Sequence, residues 1–499
     1  MAFGEDLDKL VEETGGLLSK HPSWERVRID DVTEVVNGFA FKSKYFSKNE
    51  GDPLVRIRDI LSGETGTLYN GPTVEGYDIN AGDLLIGMDG DFNSALWKGR
   101  KALLNQRVCR VDFKTELYDS RLLWYALPGY LKKINEHTSA VTVKHLSSRT
   151  IKNIPLPLPP FAEQKRIVNK IDELFSSIEA GERAIERARV RLVRYRKSIL
   201  KAAVTGELTR DWREQNPSEE TAQALLTRIL TARYDSWETL ELAKLDAKNK
   251  PHPQTEKEWE KFRARYKTPI TPFVEHEPNL PKNWIWSSFG QVFDVFTGAT
   301  PSRKEDHYWE GSIPWVSSGE VSFCKIRRTK ECISKEGFNN SSVKLHPIGT
   351  ILLAMIGEGK TRGQCAILEV EATNNQNAAA IRVSQTPILP MYIFYFLNQR
   401  YELSRSEGQG GNQPALNGGK VSKMMFPLPP ILEQNEIVSR VEEVLSKANA
   451  VEATLKVQTR AAKALKQAVL KTAFEGKLVP QNPNDEPARE LLKRIKAAS

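Results

Sequence analysis

The sequence predicts an α/β (α+β) protein in which two domains of mixed β-sheets are separated by two long helices that pair as an antiparallel coiled coil. The first observation behind this fold class is an internal repeat. Residues 157–208 align without a gap with residues 427–478, and 17 of the 52 positions are identical, where average composition gives about three by chance. Solenoid repeats are about 20–50 residues long. The longer period therefore indicates a duplicated domain pair, a pseudo-two-fold internal repeat.

The second observation is that each copy begins with a short proline-rich segment and continues with a helical pattern. The runs Pro157–Pro160 and Pro427–Pro430 cannot be helical inside, but they lead naturally into a helix. A helix from Phe161 to Val204 would be about 65 Å long at 1.5 Å per residue. An antiparallel pairing follows from a pseudo-two-fold axis across the seam.

Apolar residues recur at alternating spacings of four and three through five heptads of both copies, which is typical of a coiled-coil seam. Tyr195 in the first copy and Val451 and Leu465 in the second occupy seam positions, and only Gly181 in the first copy is out of character. The alternative is that each helix packs on its own domain as an ordinary amphipathic helix. The narrow seam and the matching partner favour the paired helices.

The third observation is that the segments preceding the copies carry short β-type runs and glycine turns, and are weakly related to each other. Scaffold positions match while the polar residues between them differ. This pattern is expected of two recognition domains with one fold and different targets, although divergent filler loops would look similar. The matched positions are Trp24, Val32, Val35, Gly38, Gly82, Met88, Gly90, Asn105, Gln106 and Leu146 with Trp284, Val292, Val295, Gly298, Gly349, Met355, Gly357, Asn375, Gln376 and Leu416.

The composition is that of a basic, soluble, globular chain. Its net charge is +9 and its pI is about 9.1, which makes a polyanion partner plausible; the alternative is an ordinary solvated surface. The four cysteines form no CxxC pair and make no zinc pattern with the seven histidines, so we expect a reducing compartment and no metal site. The acidic N-terminus lacks the apolar segment of a signal peptide. The run Ile351 to Ile356 is too short to cross a membrane.

This layout resembles the specificity subunit of Type I restriction–modification systems over essentially the whole chain. The resemblance is carried by the Pro-Leu-Pro-Pro-x-x-Glu-Gln runs at Pro157–Gln164 and Pro427–Gln434, by the helix exits that end at Leu208 and Leu478, and by the GMDGDFN run at Gly87–Asn93. The closing run Asn482–Pro487 is of the same type. Together these motifs are specific, although each alone would be weak.

The resemblance implies a subunit that performs no chemistry and binds no cofactor itself. It implies two target-recognition domains, each reading one half of an asymmetric split site in double-stranded DNA. Subunits of this family dock two modification (methyltransferase) subunits, which methylate adenine with S-adenosylmethionine, and restriction subunits, which use ATP and Mg to translocate and cleave DNA. The expected localisation is cytoplasmic, with no membrane contact.

Six segments follow from the sequence pattern and the resemblance together. They are an N-terminal helical segment at 1–20, target-recognition domain 1 at 21–156, a central conserved helical region at 157–230, a helical tail and linker at 231–280, target-recognition domain 2 at 281–426 and a C-terminal conserved helical region at 427–499.

The sequence contains no catalytic motif, apart from one run that resembles a phosphate-binding loop. We find no dinucleotide fingerprint, no NPPF- or NPPY-type methyltransferase motif and no HExxH zinc motif. The run Ala354–Thr361 fits a permissive Walker A pattern, but a phosphate loop needs a helix directly after it, and a β-like run follows Cys365. An ATPase or nuclease that uses Gly359-Lys360-Thr361 is therefore a rival hypothesis, and a coiled-coil scaffold that does not read DNA is another.

Candidate DNA contacts are loop residues able to bind base edges or phosphates, namely Arg, Lys, Asn, Gln, Ser and acidic side chains. In the first domain they are Lys42, Lys44, Arg56, Arg58, Asp59, Asp89, Asp91, Asn93, Lys98, Arg100, Lys144, His145 and Arg149. In the second domain they are Ser302, Arg303, Lys304, Ser317, Ser318, Glu320, Arg327, Arg328, Glu358, Lys360, Arg362, Gln409, Asn412 and Gln413.

Two further features of the sequence can be explained either by DNA contact or by a structural role. The pairs Asn105-Gln106 and Asn375-Gln376 occur in both halves, so they are better explained by a shared structural role than by base reading, which should differ between halves. The basic run from Arg183 to Lys197 is by default a solvated helix face, and a docking surface or a DNA-facing ridge is the alternative.

Overall fold

The structure, a computed structural model, describes residues 6–138, 143–217, 219–269, 271–272, 279–357, 359–406 and 416–498, with only the backbone described for 404–406. The chain forms two compact units, Met1–Arg187 with Leu455–Ser499 and Ala188–Thr454. Both divisions fall inside long helices, so each unit holds one part of each helix. Within the described residues, no helix combines the length and apolarity needed to cross a membrane.

The first unit is rich in short strands up to the long helix that leaves it. Its helices are α1 (Leu7–Thr14), α2 (Ile29–Val32), α3 (Ser120–Glu136), α4 (Ser148–Lys152) and the start of α5 (Phe161–Thr205). Its strands are β1 (Glu25–Arg28), β2 (Thr33–Asn37), β3 (Phe46–Ser47), β4 (Asp52–Val55), β5 (Leu68–Tyr69), β6 (Asp78–Ile79), β7 (Leu84–Gly87), β8 (Ser94–Leu96), β9 (Ala102–Leu104), β10 (Val108–Phe113) and β11 (Pro155–Leu158).

These strands form sheets in the orders β1-β11, β2-β10-β7-β8 and β3-β5-β4-β9-β6. The β4 and β9 strands are parallel, whereas the other pairs are antiparallel. The strand that closes the domain, β11, ends with the first two residues of the proline run, and it pairs with β1 from Glu25↔Leu158 to Arg28↔Pro155. The mixed sheets predicted for this region are therefore confirmed.

The second unit repeats this plan after a set of helices. Its helices are the end of α5, α6 (Arg210–Gln215), α7 (Ala222–Asp246), α8 (Glu256–Arg263), α9 (Phe289–Val292), α10 (Lys335–Asn339), α11 (Pro390–Ser406), α12 (Gly418–Ser422) and the start of α13 (Ile431–Phe474). Its strands are β12 (Ile285–Ser288), β13 (Val295–Thr297), β14 (Ile313–Val316), β15 (Cys324–Ile326), β16 (Glu331–Ile333), β17 (Ile351–Ala354), β18 (Cys365–Leu368), β19 (Thr373–Asn374), β20 (Ala378–Ile381) and β21 (Met425–Leu428).

The sheets of the second unit are again mixed, with the orders β12-β21, β13-β20-β17-β18-β15 and β16-β14-β19. The pairs β14·β19 and β15·β18 are parallel. The second proline run likewise begins inside a strand, since β21 ends at Leu428, and this strand pairs with β12 from Ile285↔Leu428 to Ser288↔Met425. The last helix of the chain, α14 (Ala488–Ala498), belongs to the first unit, where Leu491 and Ile495 are buried in the core.

The long helices α5 and α13 run antiparallel within each unit. In the first unit, Lys466 contacts Glu182 at 2.8 Å, whereas the earlier Arg166 contacts the later Asp485 at 2.5 Å. In the second unit, Arg196 contacts Glu452 at 2.9 Å, whereas Arg440 donates to the Leu208 carbonyl at 2.9 Å. The antiparallel helix pair predicted from the repeat is thus confirmed.

The strict heptad seam is only partly correct. Ile167, Ile171 and Val469 are buried, but Tyr195, Val451 and Leu465 are about half exposed. A straight helix has 3.6 residues per turn, so a strict seven-residue pattern drifts by about 20° per heptad and leaves the contact face.

Each long helix ends at a left-handed glycine. Gly206 has φ +76° and Gly476 has φ +71°, a conformation that glycine adopts without the Cβ penalty and that commonly terminates helices. Leu208 donates to the Ala202 carbonyl at 3.0 Å and Lys477 donates to the Thr472 carbonyl at 2.9 Å, so carbonyls of the last turn are satisfied. The first helix was predicted to end at Val204, and it ends at Thr205.

The Glu-Gln pair that follows each proline run anchors the helix to its domain. In the first unit, Gln164 donates to the Pro159 carbonyl at 3.0 Å and accepts from the Asp119 amide at 2.8 Å. In the second, Gln434 donates to Pro429 at 2.9 Å and accepts from Leu389 at 3.1 Å. Both glutamines are fully buried, so the contacts that satisfy them also fix the start of the helix.

The two glutamates are buried as well, with different partners. Glu163 accepts from Trp24 Nε1 at 3.1 Å and from Gln481 Nε2. Burial raises the pKa of the Glu163 carboxyl, opposed by these hydrogen bonds. Glu433 accepts from Trp284 Nε1 at 2.7 Å and from Thr209 Oγ1 at 2.7 Å, and it also pairs with the Arg213 guanidinium.

Candidate nucleic-acid interface

Three backbone segments of the first unit meet beyond the end of β7. The Met88 amide donates to the Arg107 carbonyl at 2.9 Å, and the Leu146 amide donates to the Met88 carbonyl at 2.7 Å. The Gly90 amide donates to the Lys144 carbonyl at 3.1 Å. Residues 88–90, the turn 105–108 and residues 144–146 therefore form one backbone cluster.

Polar side chains from all three segments meet on this cluster. His145 Nδ1 lies 2.7 Å from Asp89 Oδ1, and Arg107 Nε lies 3.3 Å from Asp89 Oδ2. Lys144 Nζ donates to the Asn135 carbonyl at 2.6 Å. Asp89 thus contacts residues 18 and 56 positions later in sequence, and we call these three residues and the adjacent Lys144 the Asp89 cluster (Asp89, Arg107, Lys144 and His145).

The turn that carries Arg107 is tightly packed against the start of the domain. A Cβ on Gly38 would lie 2.0 Å from the Asn105 carbonyl oxygen, so only glycine permits this approach. The second unit repeats the arrangement: a Cβ on Gly298 would lie 2.2 Å from the Asn374 carbonyl oxygen. Asn105 and Asn375 are both buried, whereas Gln106 and Gln376 are exposed, so the burial fits a structural role for the asparagine of each pair.

The other candidates of the first unit divide into exposed cations and residues that hold loops. Asp59 is buried, and its carboxylate accepts from the Arg56 amide at 3.0 Å, so it fixes the loop from within. The Arg58 guanidinium lies 3.3 Å from Thr67 Oγ1. Exposed on the surface are Lys42, Lys44, Arg58, Asp91, Lys98, Arg100 and Arg149, while Arg56 and Asn93 are half-buried.

In the second unit, neighbouring side chains fix the guanidinium of Arg303. Its guanidinium lies 3.5 Å from the Trp309 ring centroid and donates to Glu331 at 2.5 and 3.0 Å. The hydrogen bond to Glu331 raises the pKa of Arg303 and lowers that of Glu331. Its neighbours Ser302 and Lys304 are exposed.

The next loop of the second unit is closed by its own acidic residue. Glu320 accepts from the Ser317 amide at 2.9 Å and from the Lys330 amide at 2.9 Å, so its carboxylate holds the loop, as Asp59 does in the first unit. Ser318 is half-buried. Arg327 pairs with Glu369 at 2.5 Å but remains 76% exposed, and Arg328 is exposed.

The Walker-like run lacks the helix that a phosphate loop requires. The Gly363 amide donates to the Ala354 carbonyl at 2.9 Å, and the chain enters strand β18 at Cys365. Lys360 is exposed, Arg362 is half-buried, and Tyr401 Oη donates to the Lys360 carbonyl at 2.7 Å. The candidates Glu358, Gln409, Asn412 and Gln413 lie outside the described residues.

Cysteine and metal chemistry add no site to the described part of the chain. Cys109 and Cys365 are fully buried, and burial raises the pKa of the Cys109 thiol to about 12. In the described residues no three His, Cys, Asp or Glu side chains are grouped so as to hold a metal ion.

Comparison with known proteins identifies the family. The profile of the Type I restriction modification DNA specificity domain matches residues 22–187 and 281–459. The specificity subunit of the Type I restriction enzyme EcoBI from Escherichia coli is 32% identical over 513 residues, which cover 100% of this chain and 97% of that protein. The chain belongs to this family.

Two further comparisons agree with it. The EcoDI specificity subunit from Escherichia coli is 24% identical over 392 residues, covering 76% of this chain and 77% of that protein. A chain from a structural study of complex assembly and conformational transition of the type I R-M system has a TM-score of 0.58 at 18% identity and covers 91% of this chain and 98% of its own length. This second likeness shows the same fold.

The chain is thus a Type I restriction–modification specificity subunit, a non-catalytic DNA-recognition component. The rival hypothesis of an ATPase or nuclease gains no support.

Arg107 of this specificity subunit is not among the residues predicted from the sequence to contact DNA, although it directly follows the Asn105-Gln106 pair. A signal was available: the chain must reverse between β9 and β10, and a tight turn there favours glycine or asparagine at its third position. An arginine at that position is unusual enough to suggest a role for its side chain.

Proposed function

We propose that this specificity subunit reads an asymmetric bipartite site in double-stranded DNA, with one sheet-rich domain reading each half. The observation that carries the proposal is that the two units have turns at matching positions with the same backbone hydrogen bond but different side chains. The turn that places Arg107 beside Asp89 has a counterpart in the second unit, in which Asn377 follows Asn375-Gln376 and its carbonyl accepts from the Met355 amide at 2.8 Å. The two turns differ in conformation at this residue, because Arg107 has φ +77° and Asn377 has no positive φ. Matching backbone contacts with different polar groups are suited to reading two different half-sites.

The proposed recognition domains are residues 21–156 and 281–426. The segments around them are the N-terminal helix at 1–20, the helical regions at 157–230 and 427–499, and the tail and linker at 231–280. We propose that exposed loop cations supply phosphate contacts and that the Asp89 cluster supplies base contacts. Asp59 and Glu320 shape their loops from inside, since both carboxylates are taken up by backbone amides.

The proposed partners of the complex are two modification subunits and the restriction subunits, with the complex acting in the cytoplasm. S-adenosylmethionine, ATP and Mg would belong to those partner subunits. Modification also requires the target base to leave the stack, which the modification subunit must perform. A basic chain with pI about 9.1 supplies favourable electrostatics for assembly on DNA.

The proposal is tested by co-expressing the chain with its modification subunit and mapping adenine methylation across the host genome at single-base resolution. The expected result is one asymmetric motif with two defined halves around a fixed undefined spacer. The modification subunit expressed alone is the control. A stable complex without methylation would contradict DNA reading and favour a scaffold role.

We also propose that the lengths of α5 and α13 set the spacer. Inserting about one helical turn, roughly four residues, into both helices should lengthen the spacer and leave both half-sites intact. The same methylation map measures the result. An unchanged spacer in the insertion variant would contradict this role for the helices.

A further inference from the structure

Arg107 adopts a backbone conformation that its residue type disfavours. Asn105 to Val108 form a tight turn closed by the Val108 amide donating to the Asn105 carbonyl at 3.2 Å. Arg107, third in this turn, has φ +77°, whereas such a position favours glycine, which has no Cβ, or asparagine, whose short polar side chain can hydrogen-bond to the nearby backbone. Strained residues in folded proteins concentrate at functional sites.

The Arg107 side chain is presented to solvent while one of its edges is held. Its Nε lies 3.3 Å from Asp89 Oδ2, and the side chain remains 57% exposed. Asp89 is itself fixed, because its other oxygen lies 2.7 Å from His145 Nδ1 and its side chain is only 26% exposed. The carboxylate therefore holds the Nε edge of the guanidinium, while Nη1 lies 3.5 Å from His145 Nδ1 in a longer contact.

Other arginines of the described structure are held in ways less suited to reading DNA. The Arg303 guanidinium has one face on Trp309 and both η nitrogens on Glu331. Arg110 has its Nε and Nη2 on the Asp112 carboxylate and Nη1 on the Asp78 carbonyl. Arg107 differs in that a carboxylate holds its Nε edge, its Nη1 makes a longer 3.5 Å contact with His145 Nδ1, and its side chain remains 57% exposed.

The second unit lacks this arrangement at the matching positions. Asn377 takes the place of Arg107, and Ile356, 46% exposed, takes the place of Asp89. The carboxylate and the guanidinium are thus present together in one half and absent together in the other. A part of the scaffold would be expected in both halves, as the buried Asn105 and Asn375 are.

We propose that Arg107, oriented by Asp89, reads a guanine in the DNA half-site bound by the first unit, donating to O6 and N7 on its major-groove edge. An arginine fork matches these two acceptors, and this pair is the commonest specific protein–DNA contact. Asp89 is a positioning residue, because it acts through the guanidinium. The inference rests on the proposed DNA-reading function and names the base class that one site takes.

The first test uses the wild-type complex with its modification subunit and duplexes that carry the mapped site. Each guanine of the half-site read by the first unit is replaced in turn by 7-deazaguanine, which lacks the N7 acceptor. At one guanine we expect binding to weaken about 10-fold. If every replacement leaves affinity unchanged, or if that half-site contains no guanine on either strand, the assignment of Arg107 is wrong while the bipartite function stands.

The second test uses Arg107→Gly, which removes the side chain and suits the left-handed turn. We expect its Tm to equal or exceed that of the wild type, while the guanine becomes undefined in the methylation motif and affinity for the wild-type site falls roughly 10- to 100-fold. The 7-deazaguanine effect should vanish in this variant, which a purely structural role would not produce. An unchanged motif would overturn the proposal.

Matched variants separate the base contact from general charge. Lys132→Ala removes one exposed cation from the same unit, and we expect its motif to be that of the wild type. Asp89→Asn keeps the size of the side chain but not its charge, and should weaken discrimination at the same guanine without affecting other positions. Loss of discrimination at several positions in Asp89→Asn would contradict its role as the positioning partner of Arg107. Failure of the proposed function itself would look different, because the wild-type complex would then yield no bipartite motif.

Discussion

The two buried glutamates that anchor the long helices occupy matching positions and are compensated differently. Glu163 and Glu433 both accept a hydrogen bond from a tryptophan indole. Glu163 also accepts a hydrogen bond from the neutral amide of Gln481, whereas Glu433 pairs with the Arg213 guanidinium. The fold therefore requires a hydrogen-bond acceptor for the tryptophan at this position, but it does not require the same charges around that acceptor.

Two turns at matching positions of the two units show the complementary difference. The turns that end in Arg107 and Asn377 have the same hydrogen bond to a methionine amide, at 2.9 and 2.8 Å. The first turn carries an arginine beside a carboxylate, whereas the second carries an asparagine, and the position of the carboxylate is taken by an exposed isoleucine. Equivalent backbone hydrogen bonds thus carry different side-chain chemistry in the two units.

The largest expected effect is on stability. Glu433→Gln should cost about 2–3 kcal/mol, because the Arg213 guanidinium, only 20% exposed, loses its countercharge. Glu163→Gln should change stability by less than about 1 kcal/mol, since an amide still accepts from Trp24 and can pair with a rotated Gln481. Denaturant unfolding of both variants measures the difference, and each is the control for the other. Equal losses would contradict the charge argument.

The next effect is on specificity. Asn377→Ala should relax the requirement for adenine at one position of the half-site read by the second unit, because asparagine pairs with the N6 and N7 edge of adenine. We expect discrimination against other bases at that position to fall by about 1–2 kcal/mol. The half-site read by the first unit, in the same methylation map, is the internal control. A change confined to that first half-site would reverse the assignment of domains to half-sites.

A smaller effect is expected from pH. Burial raises the pKa of Glu163 in the folded state above its unfolded value, so the folded protein holds this proton to higher pH. Stability conferred by the neutral carboxyl is present at low pH and declines as pH rises through the unfolded pKa to the folded one. The free-energy difference between wild type and Glu163→Gln should therefore shift in favour of glutamine as pH rises across this window. Unfolding curves at several pH values measure it, and a shift in favour of glutamate would be evidence against it.

The smallest effects belong to the ion pairs between the long helices. Glu182→Gln in the first unit and Glu452→Gln in the second remove a partner of Lys466 and Arg196 respectively, and each should cost about 0.5 kcal/mol or less, because these carboxylates are 32% and 35% exposed. High salt should reduce both costs. A loss above about 2 kcal/mol in either variant would show that the pair does more than lie on the helix surface.

The elements that depend on local physics could be predicted from the sequence. The proline runs, the helical spacing and the terminal glycines predict α5 to within one residue of its observed end, because capping and backbone restriction act over a few residues. The mixed sheets and the family could also be inferred, because each left a pattern repeated in both halves.

The contacts between side chains that are distant in sequence are seen only in the tertiary structure. Asp89, Arg107 and His145 lie far apart in sequence and share a site because three loops are hydrogen-bonded beyond β7. Glu163 receives its neutral partner from Gln481, 318 residues away. The exposed seam residues Tyr195, Val451 and Leu465 likewise depend on how a 3.6-residue period accumulates along the helix pair. Long-range pairing leaves no trace in local composition, so these contacts could not be predicted from the residues alone.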